Sequence, residues 1–145
     1  MKKTILLSFL LAMTFCHSKA QDKTISKSII STSAAIKKFH EKAELDDMQK
    51  GELVELYVER INVIAQKLPF IALANKRGVS MSDIGIPDNS DNAKLLEKQH
   101  ETIKTFVSDT EAFERTITPF ADKQEIIEAI LFCEMVLKEL RLIRS

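Results

Sequence analysis

Two histidines and two glutamates are the residues of this chain best suited to hold a metal. Glu97-Lys98-Gln99-His100 is a Glu-x-x-His, and residues three apart share a helix face. Ferritin-like di-iron bundles carry that pair on each of two helices, with two further glutamates. Here Lys37 stands three before His40, so the second pair is missing and the di-iron set is incomplete. A single-metal site built from His40, Glu44, Glu97 and His100 is the alternative. The simpler reading makes both histidines boundary residues beside helix charges. Haem has no covalent motif: Met13-Thr14-Phe15-Cys16-His17 holds only the last two letters of Cys-x-x-Cys-His. Met48, Met81 and Met135 show no spacing to a histidine that favours axial ligation. No cofactor is expected.

Asp88-Asn89-Ser90-Asp91-Asn92 has the oxygen density of a calcium loop. An EF-hand needs glycine at its sixth place and glutamate at its twelfth. Ala93 and Gln99 stand there, so an Asx-rich turn entering a helix is the better account. Cys133 falls on an apolar seam, where a thiol behaves as a small hydrophobe, and no neighbouring base activates it. No Gly-x-Ser-x-Gly elbow is present. Glu114 and Glu134 read as flanking acids in salt bridges, with partial burial beside the seam as the alternative. The residues supply no catalytic set, which points away from an enzyme.

The elements that must position these residues begin with a leader. Lys2 and Lys3 precede an apolar run, Thr4 to Cys16, and Ser18-Lys19-Ala20 offers a cleavage site before Gln21. This is the layout of a secretory signal peptide over residues 1–20, and the run is too short to span a membrane. A lipoprotein reading at Cys16 is disfavoured by Phe15. The expected product is exported, to the periplasm or beyond, as a single domain of residues 21–145 without a membrane-spanning segment. The full chain has 21 basic and 21 acidic residues; the leader takes three lysines, leaving 18 against 21, or −3. That balance argues against nucleic acid as a partner. Cys133 then has no second cysteine to pair with, so the core must hold the domain.

Four amphipathic stretches follow. Ile25, Ile29, Thr32, Ile36 and Phe39 predict a first helix over Asp22–Ala43, weakened by many hydroxyl residues. Val54, Tyr57, Ile61, Ile64, Leu68 and Ile71 step at three and four and predict a second, capped at Asp46 or Asp47. It continues, kinked at Pro69, to Lys76 or Arg77, with Gly78 as its C′ residue. Leu96, Ile103, Phe106, Phe113, Ile117 and Phe120 predict a third, from Ser90 or Asp91 to about Thr118. Ile126, Ile130, Cys133, Leu137 and Leu140 predict a fourth, boxed by Asp122 and Glu125. The expected fold is all-α: a four-helix bundle, up-down-up-down, with a long loop between helices 2 and 3. That loop, residues 78–91, mixes apolar and acidic residues. Val79, Met81, Asp83, Ile84, Ile86, Asp88 and Asp91 are its candidate partner-binding residues. The leading functional expectation is a non-catalytic exported bundle that binds another protein of the cell envelope, as an inhibitor or immunity protein does. A metal- or haem-binding bundle is one alternative. A periplasmic chaperone-like or lipid-surface binder using the first helix is another. The sequence leaves the oligomeric state open.

Overall fold

The computed structural model describes residues 27–142. The expected leader, and residues 21–26 at the start of the expected first helix, lie outside the described residues. Within them the protein is mostly helical and has no strand; one isolated antiparallel bridge joins Ser28 and Ser80. The helices are α1 (Lys42–Asp46), α2 (Lys50–Lys67), α3 (Ser90–Ile117) and α4 (Lys123–Leu142). None is long and apolar enough to cross a membrane.

The expected first helix is not found from 27 to 41: that stretch is turns and extended chain. Its hydroxyls explain the difference, because they satisfy nearby backbone groups and so compete with helix hydrogen bonds. Ser28 Oγ donates to the carbonyl of Ile30 at 2.5 Å, and the Ser31 and Ser33 hydroxyls bond each other at 2.7 Å. The neighbours Ile29 and Ile30 are both fully buried. The chaperone or lipid-surface reading therefore loses the helix it relied on over this stretch. Three long helices, not four, form the framework.

α2 begins later than its expected cap. Glu41 and Glu44 box the short α1; Gln49 and Glu52 then box α2, with the Gln49 N–H donating to Glu52 at 2.8 Å. α2 also stops earlier than expected. Proline has no N–H for the carbonyl four residues back, so Pro69 starts a tighter 3₁₀ turn, Leu68–Phe70, instead of kinking a continuous helix to Lys76. Gly78 accordingly lies in a turn rather than at a helix end, with φ at +80°. Asn89, one residue before the expected Ser90, caps α3 by accepting from the N–H groups of Asp91 and Asn92.

Side-chain pairs fix the helix directions. Arg115 reaches Glu55 and Asn62 reaches Glu111, so α3 runs antiparallel to α2. Leu53 packs with Ile126 and Ile127, Arg60 bonds Glu134 and Val63 packs with Leu137, so α4 runs parallel to α2. Both α3 and α4 lie on α2 and hardly touch each other. The core falls into three clusters along α2. One joins Ile29, Ile30 and Phe70 to Leu96 and Ile103; one joins Leu45, Leu53 and Val54 to α4; one joins Val63 to Leu137 and Leu140.

Candidate functional site

The most heavily bonded group of side chains is at the centre of the molecule. Arg60 of α2 and Glu134 of α4 are each 1 % exposed. Arg60 Nε and Nη2 donate to Glu134 Oε1 at 3.0 and 2.8 Å. Nη2 also donates to the Lys38 carbonyl at 2.7 Å, and Nη1 to Glu59 at 2.8 Å. The backbone N–H of His40 donates to Glu134 Oε2 at 2.7 Å. His40 Nδ1 lies 3.1 Å from Arg60 Nη2 and 3.2 Å from Glu134 Oε1. It accepts from the guanidinium when unprotonated and donates to the carboxylate when it carries a proton. The carboxylate is thus spent on holding three pieces together: α2, α4 and the chain at Lys38–His40. Cys133 is beside it, and burial pushes its thiol up to about 11, the opposite of what a nucleophile needs.

The sequence reading named Glu134 as a flanking acid and passed over Arg60. Both had a signal. Arg60 lies three before Val63 on an apolar face, and Glu134 lies four after Ile130 and three before Leu137.

The four candidate metal ligands are placed apart in pairs. His40 faces Arg60 and Glu134, while Glu44 bonds Lys38, whose cation holds its carboxyl below the usual range. Glu97 pairs with Lys27 at 3.4 Å. His100 Nε2 donates to the Ile29 carbonyl at 2.9 Å, its ring edge-on to Phe70 at 5.5 Å between centroids. Among the described residues no three His, Cys, Asp or Glu side chains gather as a metal would require.

The loop candidates divide between inside and outside. Met81 is buried, and Val79 and Ile86 pack against the same cluster as Ile29 and Phe70. Asp83 accepts from the Ser80 N–H at 2.8 Å and from its hydroxyl at 2.7 Å, bonds that hold its carboxyl below the usual range. Asp91 occupies the first turn of α3, where the helix dipole favours it. Ile84 and Asp88 are the members left exposed without such a role.

A broader exposed feature lies on α3. Glu111 and Arg115 occupy the flank that bonds α2; Leu95, Phe106, Phe113 and Ile117 occupy the opposite flank, by their spacing of eleven, seven and four. They are 67, 57, 59 and 47 % exposed, and Phe120 just beyond is 84 % exposed. The floor beside them is α2, through Tyr57, Ile61 and Ile64, all only partly covered, and Leu68, 51 % exposed. Burial pushes the Tyr57 phenol up. Of the stripe that predicts α2, Val54 lies in the core and Tyr57, Ile64 and Ile71 pack against it, while Leu68 is exposed on the apolar face.

Comparison with family models, with curated proteins and with solved structures finds no match for this chain.

Proposed function

We propose that this is a non-catalytic exported protein that binds another protein of the cell envelope, and that the α2–α3 face takes an amphipathic helix of that partner. The observation that carries the reading is the bare flank of α3. Taking about 200 Å² for a whole phenylalanine and slightly less for leucine and isoleucine, the exposures of Leu95, Phe106, Phe113, Ile117 and Phe120 leave roughly 600 Å² of apolar side chain uncovered. Typical stable interfaces bury about 800 Å² per partner, so this face approaches one half of such an interface. It is also where a bundle's fourth helix would lie, against two helices that hardly touch. Partner helices dock in such places through anchors spaced at helical intervals. The inward-facing Val79, Met81 and Ile86 move the reading from the 78–91 loop to this face. Export rests on the expected leader at residues 1–20. An inhibitor or immunity-like role is one form of this activity.

A photo-crosslinking residue at position 113 or 117, in the full chain expressed in its natural compartment, tests the site. The expected result is one discrete crosslinked species whose attached peptide has apolar residues at helical spacing. It should disappear in Phe120→Ser, whose unfolding midpoint should be unchanged because that side chain is 84 % exposed. No crosslink at either position, or crosslinks only to a second copy of this chain, would overturn the reading. N-terminal sequencing of the exported product should begin at Gln21.

A further inference from the structure

The C-terminal ends of α2 and α4 frame a cleft of about 570 Å³ that the proposed protein-binding face does not use. Lys67 enters it from α2, Arg141 from α4, and Lys76 and Arg77 from the turn that follows Ala74. Asn75 and Thr32 add polar groups, and among the described residues no aspartate or glutamate lines it. A chain with equal numbers of acids and bases has no compositional reason to gather four cations in one place. Complementing two helix dipoles accounts for Lys67 and Arg141, but Lys76 and Arg77 belong to no helix.

The cations are held there by the fold. Arg77 Nη1 donates to the Thr32 carbonyl at 2.9 Å. The Arg141 guanidinium lies 4.6 Å from the centre of the Phe39 ring. Lys67 bonds no acid among the described residues; burial first, then the charges of Arg141 and Arg77, pull its ammonium below the usual lysine range. Like charges gathered without a counter-charge oppose folding, and a bound anion would remove that opposition. The volume is within the range of small-ligand clefts, roughly 300–1,000 Å³, and larger than one oxyanion needs. Guanidinium forks match phosphate oxygens two at a time.

We propose that this cleft binds the phosphate group of a small phosphorylated molecule or of a lipid headgroup, with Lys67, Arg77 and Arg141 as its contacts. Pyrophosphate and vesicles serve as probes that distinguish the two sources. Calorimetry and thermal unfolding of the mature protein are run with pyrophosphate against chloride at equal ionic strength. Flotation is run with phosphatidylglycerol-containing against pure phosphatidylcholine vesicles. The expected result is saturable binding in at least one arm, weakened tenfold or more by Lys67→Gln and by Arg141→Gln. The Lys67 side chain makes no hydrogen bond among the described residues, so its replacement should leave the fold intact; without ligand it should raise the melting temperature. Two results would overturn the proposal: no saturable binding in either arm, or equal binding by the wild type and Lys67→Gln.

Discussion

Replacing Glu134 by glutamine should be among the most damaging single changes in this protein. The substitution keeps the shape and removes the charge. Arg60, 1 % exposed, would then keep one acidic partner, Glu59, which is 41 % exposed at its side chain. Breaking a buried ion pair from one side costs about 3–5 kcal/mol; the surviving Glu59 contact places the expectation near the lower end. With a urea dependence of roughly 1–2 kcal/mol per molar for a domain of this size, the midpoint should fall by about 2 M. The double variant Arg60→Met/Glu134→Leu should recover part of that, because no unpaired charge remains. It should still fall about 1–3 kcal/mol short of wild type. The His40 N–H and the Lys38 carbonyl lose their partners in it. Urea unfolding followed by circular dichroism, with the two singles and the double as a cycle, measures each term. Trypsin adds a local readout, since Lys37 and Lys38 should be cut faster once the chain there is released. A Glu134→Gln variant within 1 kcal/mol of wild type, or a double variant worse than either single, would refute the reasoning.

Two further expectations follow from the same geometry. The carboxyl of Asp83 is held low by the Ser80 N–H and hydroxyl, so its stabilisation is present above the ordinary aspartate value and is lost as pH falls through the lowered folded value. Asp83→Asn should therefore flatten acid unfolding in that window and leave stability unchanged below it, measured by melting temperature against pH. Cys133, 3 % exposed with its thiol raised to about 11, should resist a thiol reagent at neutral pH in the folded state and react fully in denaturant; prompt labelling of the native protein would contradict the burial.

The three long helices were legible because their apolar residues recur every three or four positions and their ends carry recognisable capping residues. The Asp122 N–H does donate to Glu125, at 3.3 Å, as the expected box requires. The first stretch misled for a physical reason: Ile25, Ile29, Ile36 and Phe39 have helical spacing, but hydroxyls between them offer the backbone other partners. Pro69 was seen as a disturbance, and only the structure shows that the chain uses it to end a helix. Which side of α2 would be covered was not legible at all. The segment that covers one side of α2, residues 27–41, has a helical spacing that its turns do not use, so the spacing does not declare where it goes. For the same reason Arg60 and Glu134 were invisible as a pair, since they lie 74 residues apart in sequence.

The anchoring of that segment has a kinetic side. Its bonds reach far along the chain: Lys27 to Glu97, Ile29 to His100, and His40 to Glu134, separations of 70, 71 and 94 residues. Contacts so distant in sequence form slowly, because the loop must close before they contribute. The connection between α3 and α4 is only five residues long, but the described chain from Lys27 to His40 must wait for elements far downstream. A chain made from its N-terminus can therefore seat Ile29 and Ile30 only once α3 is complete, and His40 only once α4 is. Refolding followed at two sites should then show helix formation first and the burial of Ile29 and Ile30 in a later, slower phase.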